Sequence, residues 1–150
     1  MPKLQTNGAK QKRITYMILL LWAAVCFALL VVDWCCWAPN RLDADMASEQ
    51  LLANLLAQEG GVMSTNWYYS TELRVLNTQL VMAPLFRLFT SWHTVRVVGS
   101  VVLILLYLAA WFWFGRSAKL KYGGLLGAGL LVLPYGALYR QYVLEGLYYI

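Results

Sequence analysis

Charged residues are absent from three stretches of this chain, and the rest of the pattern falls between them. Ile14 to Val32 runs nineteen residues without a charge and Val97 to Phe114 runs eighteen, against the roughly 20 needed to cross a ~30 Å hydrocarbon layer. Tyr122 to Tyr139 is uncharged as well, but softened by Gly123, Gly124, Gly127, Gly129, Pro134 and Gly136. Small residues at that density let helices approach closely, which predicts a place inside a bundle. The region 33–96 alternates differently. Ser48, Glu49 and Gln50 precede Leu51, Leu52, Leu55 and Leu56, which share one helical face, with Gln50, Asn54 and Gln58 off it. Gly60 and Gly61 close that helix. Further on, Leu73, Leu76, Leu80 and Ala83 recur at helical spacing, but Glu72, Arg74, Asn77, Thr78 and Gln79 crowd the first half and Pro84 and Arg87 the second. Only the twelve residues from Val75 to Phe86 are free of charge, too few to cross. A helix on or dipping into the membrane, kinked at Pro84, fits that pattern. The expectation is an all-α membrane protein: three transmembrane helices, about 14–32, 97–114 and 122–139, and two amphipathic juxtamembrane helices in the loop 33–96 between spans one and two. The whole of 1–150 then forms a single membrane domain.

Composition agrees with that class. Hydrophobic residues make up 61% of 150 and charged ones 13%, against about 45–50% and about 25% in soluble domains. The net charge of +5 does not point to nucleic acid, because the basic residues gather at the ends of apolar runs. Lys3, Lys10, Lys12 and Arg13 precede the first span, and Arg116, Lys119 and Lys121 follow the second, with no acid in either group. All seven acids fall on the opposite side. The positive-inside rule puts the N-terminus in the cytoplasm and the loop 33–96 outside, in a multi-pass protein of the cell membrane. The first apolar run exceeds the roughly 7–15 residues of a signal peptide. Bulky Trp34, Cys35, Cys36 and Trp37 follow it, where a signal peptide would place small residues; Trp34 and Trp37 suit an aromatic belt at the outer interface. Cys26 faces lipid or core, and no Cys/His spacing resembles a metal site; His93 stands beside Trp92 as an interfacial residue.

Six of the seven acids, Asp33, Asp43, Asp45, Glu49, Glu59 and Glu72, lie in the loop, either as its solvated rim or as reaction-site carboxylates. Asp43 and Asp45 differ by two positions, so on an extended approach they point opposite ways and one of them faces any site. Asp45 is the better placed to cap a helix starting at Met46, which leaves Asp43 free. Capping plus solvation and catalysis are both open readings of the pair. Glu72 reads as a helix-start acid beside Arg74. Arg74 and Arg140 lie near the outer interface, as snorkelling residues or as bidentate holders of a phosphate. Trp67, Tyr68 and Tyr69 read first as belt residues and second as a platform for stacking sugars.

A basic N-terminus, one span and an acid pair, followed by the run Ala47 to Gly61 (Ala-Ser-Glu-Gln-Leu-Leu-Ala-Asn-Leu-Leu-Ala-Gln-Glu-Gly-Gly), Pro84 to Phe89 (Pro-Leu-Phe-Arg-Leu-Phe) and Arg96 opening the next span, resembles the N-terminal part of the C-fold (GT-C) membrane glycosyltransferases. The likeness is to their polyprenyl-phosphate-sugar-dependent, family-39-like or oligosaccharide-transfer branch. It covers essentially all 150 residues but only the first part of such an enzyme, an incomplete GT-C module that is inactive alone. It implies inverting transfer of a sugar from a polyprenyl-phosphate carrier to an extracytoplasmic acceptor, with Asp43 or Asp45 as general base. It makes Glu72 a substrate or metal ligand and matches Glu145 to an acid after the third span; Arg74 and Arg140 stand beside these as candidates for holding substrate on their chemistry alone. A divalent metal belongs to some members. The Glu-Lys-Pro-Pro-like string of one subfamily is replaced here by Glu72-Leu-Arg-Val75. The implied partners are the lipid bilayer, the polyprenyl-phosphate-linked donor, and the remaining spans of a longer chain or a partner membrane protein; nucleic acid is not among them. The alternative is a small non-enzymatic multi-pass membrane protein that acts as an assembly or binding partner. A transporter is the weaker option, because the spans carry no internal charge.

Overall fold

A computed structural model describes residues 3–69 and 78–145, and every described element is helical. α1 (Lys3–Cys36) and α4 (Trp92–Ser117) are the two long helices. Between them lie a short 3-10 turn (Ala38–Arg41), α2 (Ala44–Glu59) and α3 (Thr78–Phe86). After α4 come α5 (Gly123–Val132), the three-residue α6 (Ala137–Tyr139) and a π-helical turn (Arg140–Glu145).

α1 from Gly8 to Cys36 (29 residues) and α4 (26 residues) are each long and apolar enough to cross a membrane. Only 11% and 17% of their most apolar stretches are buried inside the protein, whereas a core helix of a soluble protein is mostly buried. Ile14, Met17, Ile18, Leu21, Val25 and Leu29 of α1 and Leu105, Leu106, Trp113 and Phe114 of α4 all face outward. So continuous an apolar surface is what a hydrocarbon solvent accommodates and water does not.

The third expected span is interrupted. α5 has ten residues, after which Leu133 turns extended (φ −73°, ψ 120°) and the helix resumes only at Ala137. The cause is Pro134, which has no N–H to donate and drives the residue before it out of the helical region. The broken segment still covers the length of α4. At one end Gly115 and Gly124 face each other closely enough for a Cβ on Gly115 to lie 3.7 Å from the Gly124 Cα; at the other, Arg96 Nη2 donates to the Glu145 carbonyl at 3.0 Å. Arg96 and Gly115 stand nineteen residues apart on α4, about 28 Å along a helix. α5 packs against both long helices through its glycines: a Cβ on Gly127 would collide with the Trp111 ring and one on Gly129 with Trp22. Trp111 Nε1 also donates to the Gly124 carbonyl at 2.8 Å. The main core joins Cys26, Leu30, Trp34 and Ala38 to Ile104, Val132 and Leu144.

α2 and α3 pack on the first turns of α4. Ala53, Met82 and Val95 meet in one cluster, and Leu52, Leu56 and Ala83 in another that Trp67 and Tyr69 cover. The buried face of α2 differs from the leucine face read in the sequence. Leu51 is half exposed, while Met46, Gln50, Leu52, Ala53 and Leu56 are buried. Gln50 can be buried because its Nε2 donates to the Trp92 carbonyl, one of the acceptors at the start of α4. Gly60 closes α2 as expected, in the left-handed region (φ 79°), with its N–H on the Leu56 carbonyl at 2.9 Å. α3 carries Pro84 within it and ends two residues later; Thr78 and Gln79, expected on a polar half, are buried against α2. Thr78 donates to Glu49 Oε2 at 2.6 Å.

Candidate functional site

Three of the acids, Asp33, Asp43 and Glu145, converge where α1 finishes and α4 begins, at the end of α4 opposite Arg116. The centre of the group is Arg41, which the 3-10 turn swings back over the last turns of α1. Its Nη2 lies 2.5 Å from Asp33 Oδ2 and 2.5 Å from Glu145 Oε1. Arg140, at the start of the π-helical turn, stands 3.5 Å from Asp33 and 3.8 Å from Glu145. Two carboxylates and two guanidinium groups therefore form one closed, formally neutral cluster. Glu145 is almost fully buried (3% exposed). Burial pushes its carboxyl above the ordinary range, and the close contact and charge of Arg41 offset that only in part. Burial also acts on Arg41, but Glu145 and Asp33 together outweigh it and hold the guanidinium pKa higher still.

Asp43 is joined to the cluster through the π-helical turn. Its Oδ1 accepts the Met46 N–H at 2.8 Å and its Oδ2 accepts from Gln141 Nε2 at 3.2 Å. Asp43, extended at φ −93° and ψ 174°, is thus the N-cap of α2, and the helix begins at Ala44 rather than Met46. This reverses the roles read in the sequence: Asp45, not Asp43, is the uncommitted acid, exposed in the first turn of α2. Arg96, buried in the first turns of α4, ties the assembly together by donating to the Met46 carbonyl (3.4 Å) and the Glu145 carbonyl (3.0 Å).

Of the candidates drawn from the sequence, Asp43, Asp45, Arg140 and Glu145 come to this one end of the protein. Glu72 and Arg74 lie outside the described residues. Of the other members of the cluster, Asp33 reads in the sequence only as one of the loop acids, and Arg41 and Gln141 carry no motif. The available signal was an acid ending an apolar run with an arginine eight residues on. A metal does not fit here. Two guanidinium groups flank Glu145, and among the described residues no three His, Cys, Asp or Glu side chains converge as a cation would require. Of the aromatic trio, Trp67 and Tyr69 are packed inward and the Tyr69 hydroxyl accepts from the Ser64 N–H at 2.8 Å; only Tyr68 stands clear, 94% exposed. No protein-family model, curated protein or solved structure matches this chain.

Proposed function

We propose that the chain is the N-terminal segment of an integral membrane glycosyltransferase that moves a sugar from a polyprenyl-phosphate carrier to an acceptor outside the cytoplasmic membrane. In this reading the chain passes the bilayer three times, the third time as the broken helix α5–α6. The basic end is cytoplasmic, and α2 and α3 are the juxtamembrane helices of the outer side. The observation that carries the reading is the convergence of Asp43, Arg140 and Glu145, up to 102 residues apart in the sequence, around the first turn of α2, where Asp45 remains exposed. A base for an acceptor hydroxyl must be ionised and reachable. Asp45 is the more reachable of the pair: it is exposed, whereas both oxygens of Asp43 are occupied.

The test is sugar transfer from a polyprenyl-phosphate donor by membranes containing the full gene product. Asp45→Asn is expected to lower turnover by about 10²–10⁴-fold, the usual worth of general-base assistance, with thermal stability unchanged. Unchanged turnover would remove Asp45 from the chemistry. One observation favours the second reading, a non-enzymatic membrane protein that partners another: within the cluster, Arg41 and Arg140 are each paired with Asp33 and Glu145 rather than open to a phosphate. Translation of the open reading frame separates the two, since the enzyme requires further spans after residue 150.

A further inference from the structure

Asp33 and Glu145 approach a single nitrogen. Each carboxyl oxygen lies 2.5 Å from Arg41 Nη2, so the two are at most twice that, about 5 Å, apart, a separation at which buried like charges disfavour double ionisation. Arg41 directs hydrogen bonds to both oxygens of Asp33. No well-angled hydrogen bond reaches Glu145 Oε1, although the side chain is 2% exposed. Arg140, at 3.5 and 3.8 Å, contributes charge to both. Glu145 is therefore a carboxyl that burial has stripped of water without supplying a full set of donors.

We propose that Asp33 and Glu145 form a proton-binding carboxyl pair, with the proton on Glu145, and that proton uptake tightens the docking of the 137–145 segment on the end of α1. The groups facing Glu145 are Asp33 from α1, Arg41 from the 3-10 turn and Arg140 from its own π-helical turn. Asp43 at the head of α2 reaches the same turn through Gln141, and Arg96 of α4 holds the carbonyl of Glu145 itself. With the proton in place, the like-charge approach to Asp33 disappears, and Arg41 and Arg140 share Asp33 alone. The raised carboxyl has the same sense. A folded-state pKa above the unfolded value contributes stability fully below the unfolded pKa, and that stability is lost as pH rises through the folded one. Mild acid on this face therefore closes the segment, and rising pH loosens it. This holds whether or not the chain belongs to a glycosyltransferase.

Infrared spectroscopy of the reconstituted protein tests it. At pH about 6, where an ordinary glutamate is almost wholly ionised, the C=O stretch of a protonated carboxylic acid is expected in the wild type. It should vanish in Glu145→Gln and persist in Glu59→Gln. Glu145→Gln keeps the neutral shape, so it should fold; the wild type's melting temperature should fall as pH rises through the Glu145 titration, and that of Glu145→Gln should not. No protonated band in the wild type, or a band that survives Glu145→Gln, would overturn the proposal and leave an ordinary, fully ionised salt-bridge network.

Discussion

Tyr139 donates its hydroxyl to the carbonyl of Leu131 at 2.6 Å, across the break in the third helical segment. In an unbroken helix that carbonyl would receive the N–H of residue 135, four positions on. The Tyr135 N–H instead turns back to Leu133, and the hydroxyl of Tyr139 takes over the vacated acceptor. The Tyr139 ring is stacked on Tyr135 at 4.6 Å, which fixes it in place for the task. One of the carbonyls that the break frees, that of Leu131, is thus met by a side chain.

Tyr139→Phe preserves the stack and removes the hydroxyl. It should cost about 1–3 kcal/mol, the usual penalty for leaving a buried acceptor unpaired, read as a lower melting temperature of the purified protein in detergent. No change would mean that water reaches the Leu131 carbonyl.

Gly129 and Gly127 are where α5 meets the two long helices, and tryptophan rings occupy the space a Cβ would need. Gly129→Leu should push α5 from α1 through Trp22 and destabilise the protein by more than about 1–3 kcal/mol, the range for overpacking a tight core. Gly8→Leu, at a position with open space around it, serves as the neutral control. Trp22→Ala combined with Gly129→Leu should recover part of the loss; equal damage in single and double variants would place the fault elsewhere.

The positions of the two long helices were legible from the run of uncharged residues, because a charge in hydrocarbon is costly at any point and the boundary shows in a single residue such as Asp33. The end of α2 was legible too, since Gly60 serves a conformation that few other residues adopt. What escaped depended on distant partners. Gln50 looks solvated in a helical wheel and is buried because the Trp92 carbonyl, 42 residues away, accepts from it. Asp43 and Asp45 are both good caps locally; the choice follows from where the chain leaves the 3-10 turn and from Gln141 drawing on Asp43. The Asp33–Arg41–Arg140–Glu145 cluster needs the last helical turn folded back onto the first helix, and no local pattern encodes that return. Pro134 marked the third segment as softened, but the extent of the interruption depends on Tyr139 being able to bridge it.

Glu59 offers a pH effect of the opposite sign to that of Glu145. Hydrogen bonds from Asn66 and then Ser64 hold its carboxyl below the ordinary range, with Asn66 Nδ2 at 2.8 Å. A depressed folded-state pKa gives stability that is present above the unfolded value and lost as pH falls through the folded one. Asn66→Ala should move the Glu59 titration, followed by NMR of its side-chain carboxyl, back up toward about 4.3. Because Glu59 is fully exposed, the melting temperature should hardly respond. A titration unmoved by the substitution would show that Asn66 does not hold the carboxylate in solution.

Membrane orientation is open to direct measurement at Val62. That residue is 74% exposed in the loop after α2, whereas nearby Ser64 is buried and its Oγ accepts from the Asn66 N–H, so a cysteine is better introduced at 62. The background must lack Cys35 and Cys36, which are both exposed and would react; buried Cys26 can stay. Seven basic residues without an acid flank the other end of the two long helices, and the proposed orientation, drawn from the positive-inside bias, has that end in the cytoplasm. Val62→Cys in intact cells should therefore react with a membrane-impermeant maleimide at the same rate before and after permeabilisation. A cysteine at Ser117, in the basic loop, should react only afterwards. Should the two patterns be exchanged, the acid cluster would face the cytoplasm, and transfer to an extracytoplasmic acceptor would be ruled out along with the assignment of Asp45 as its base.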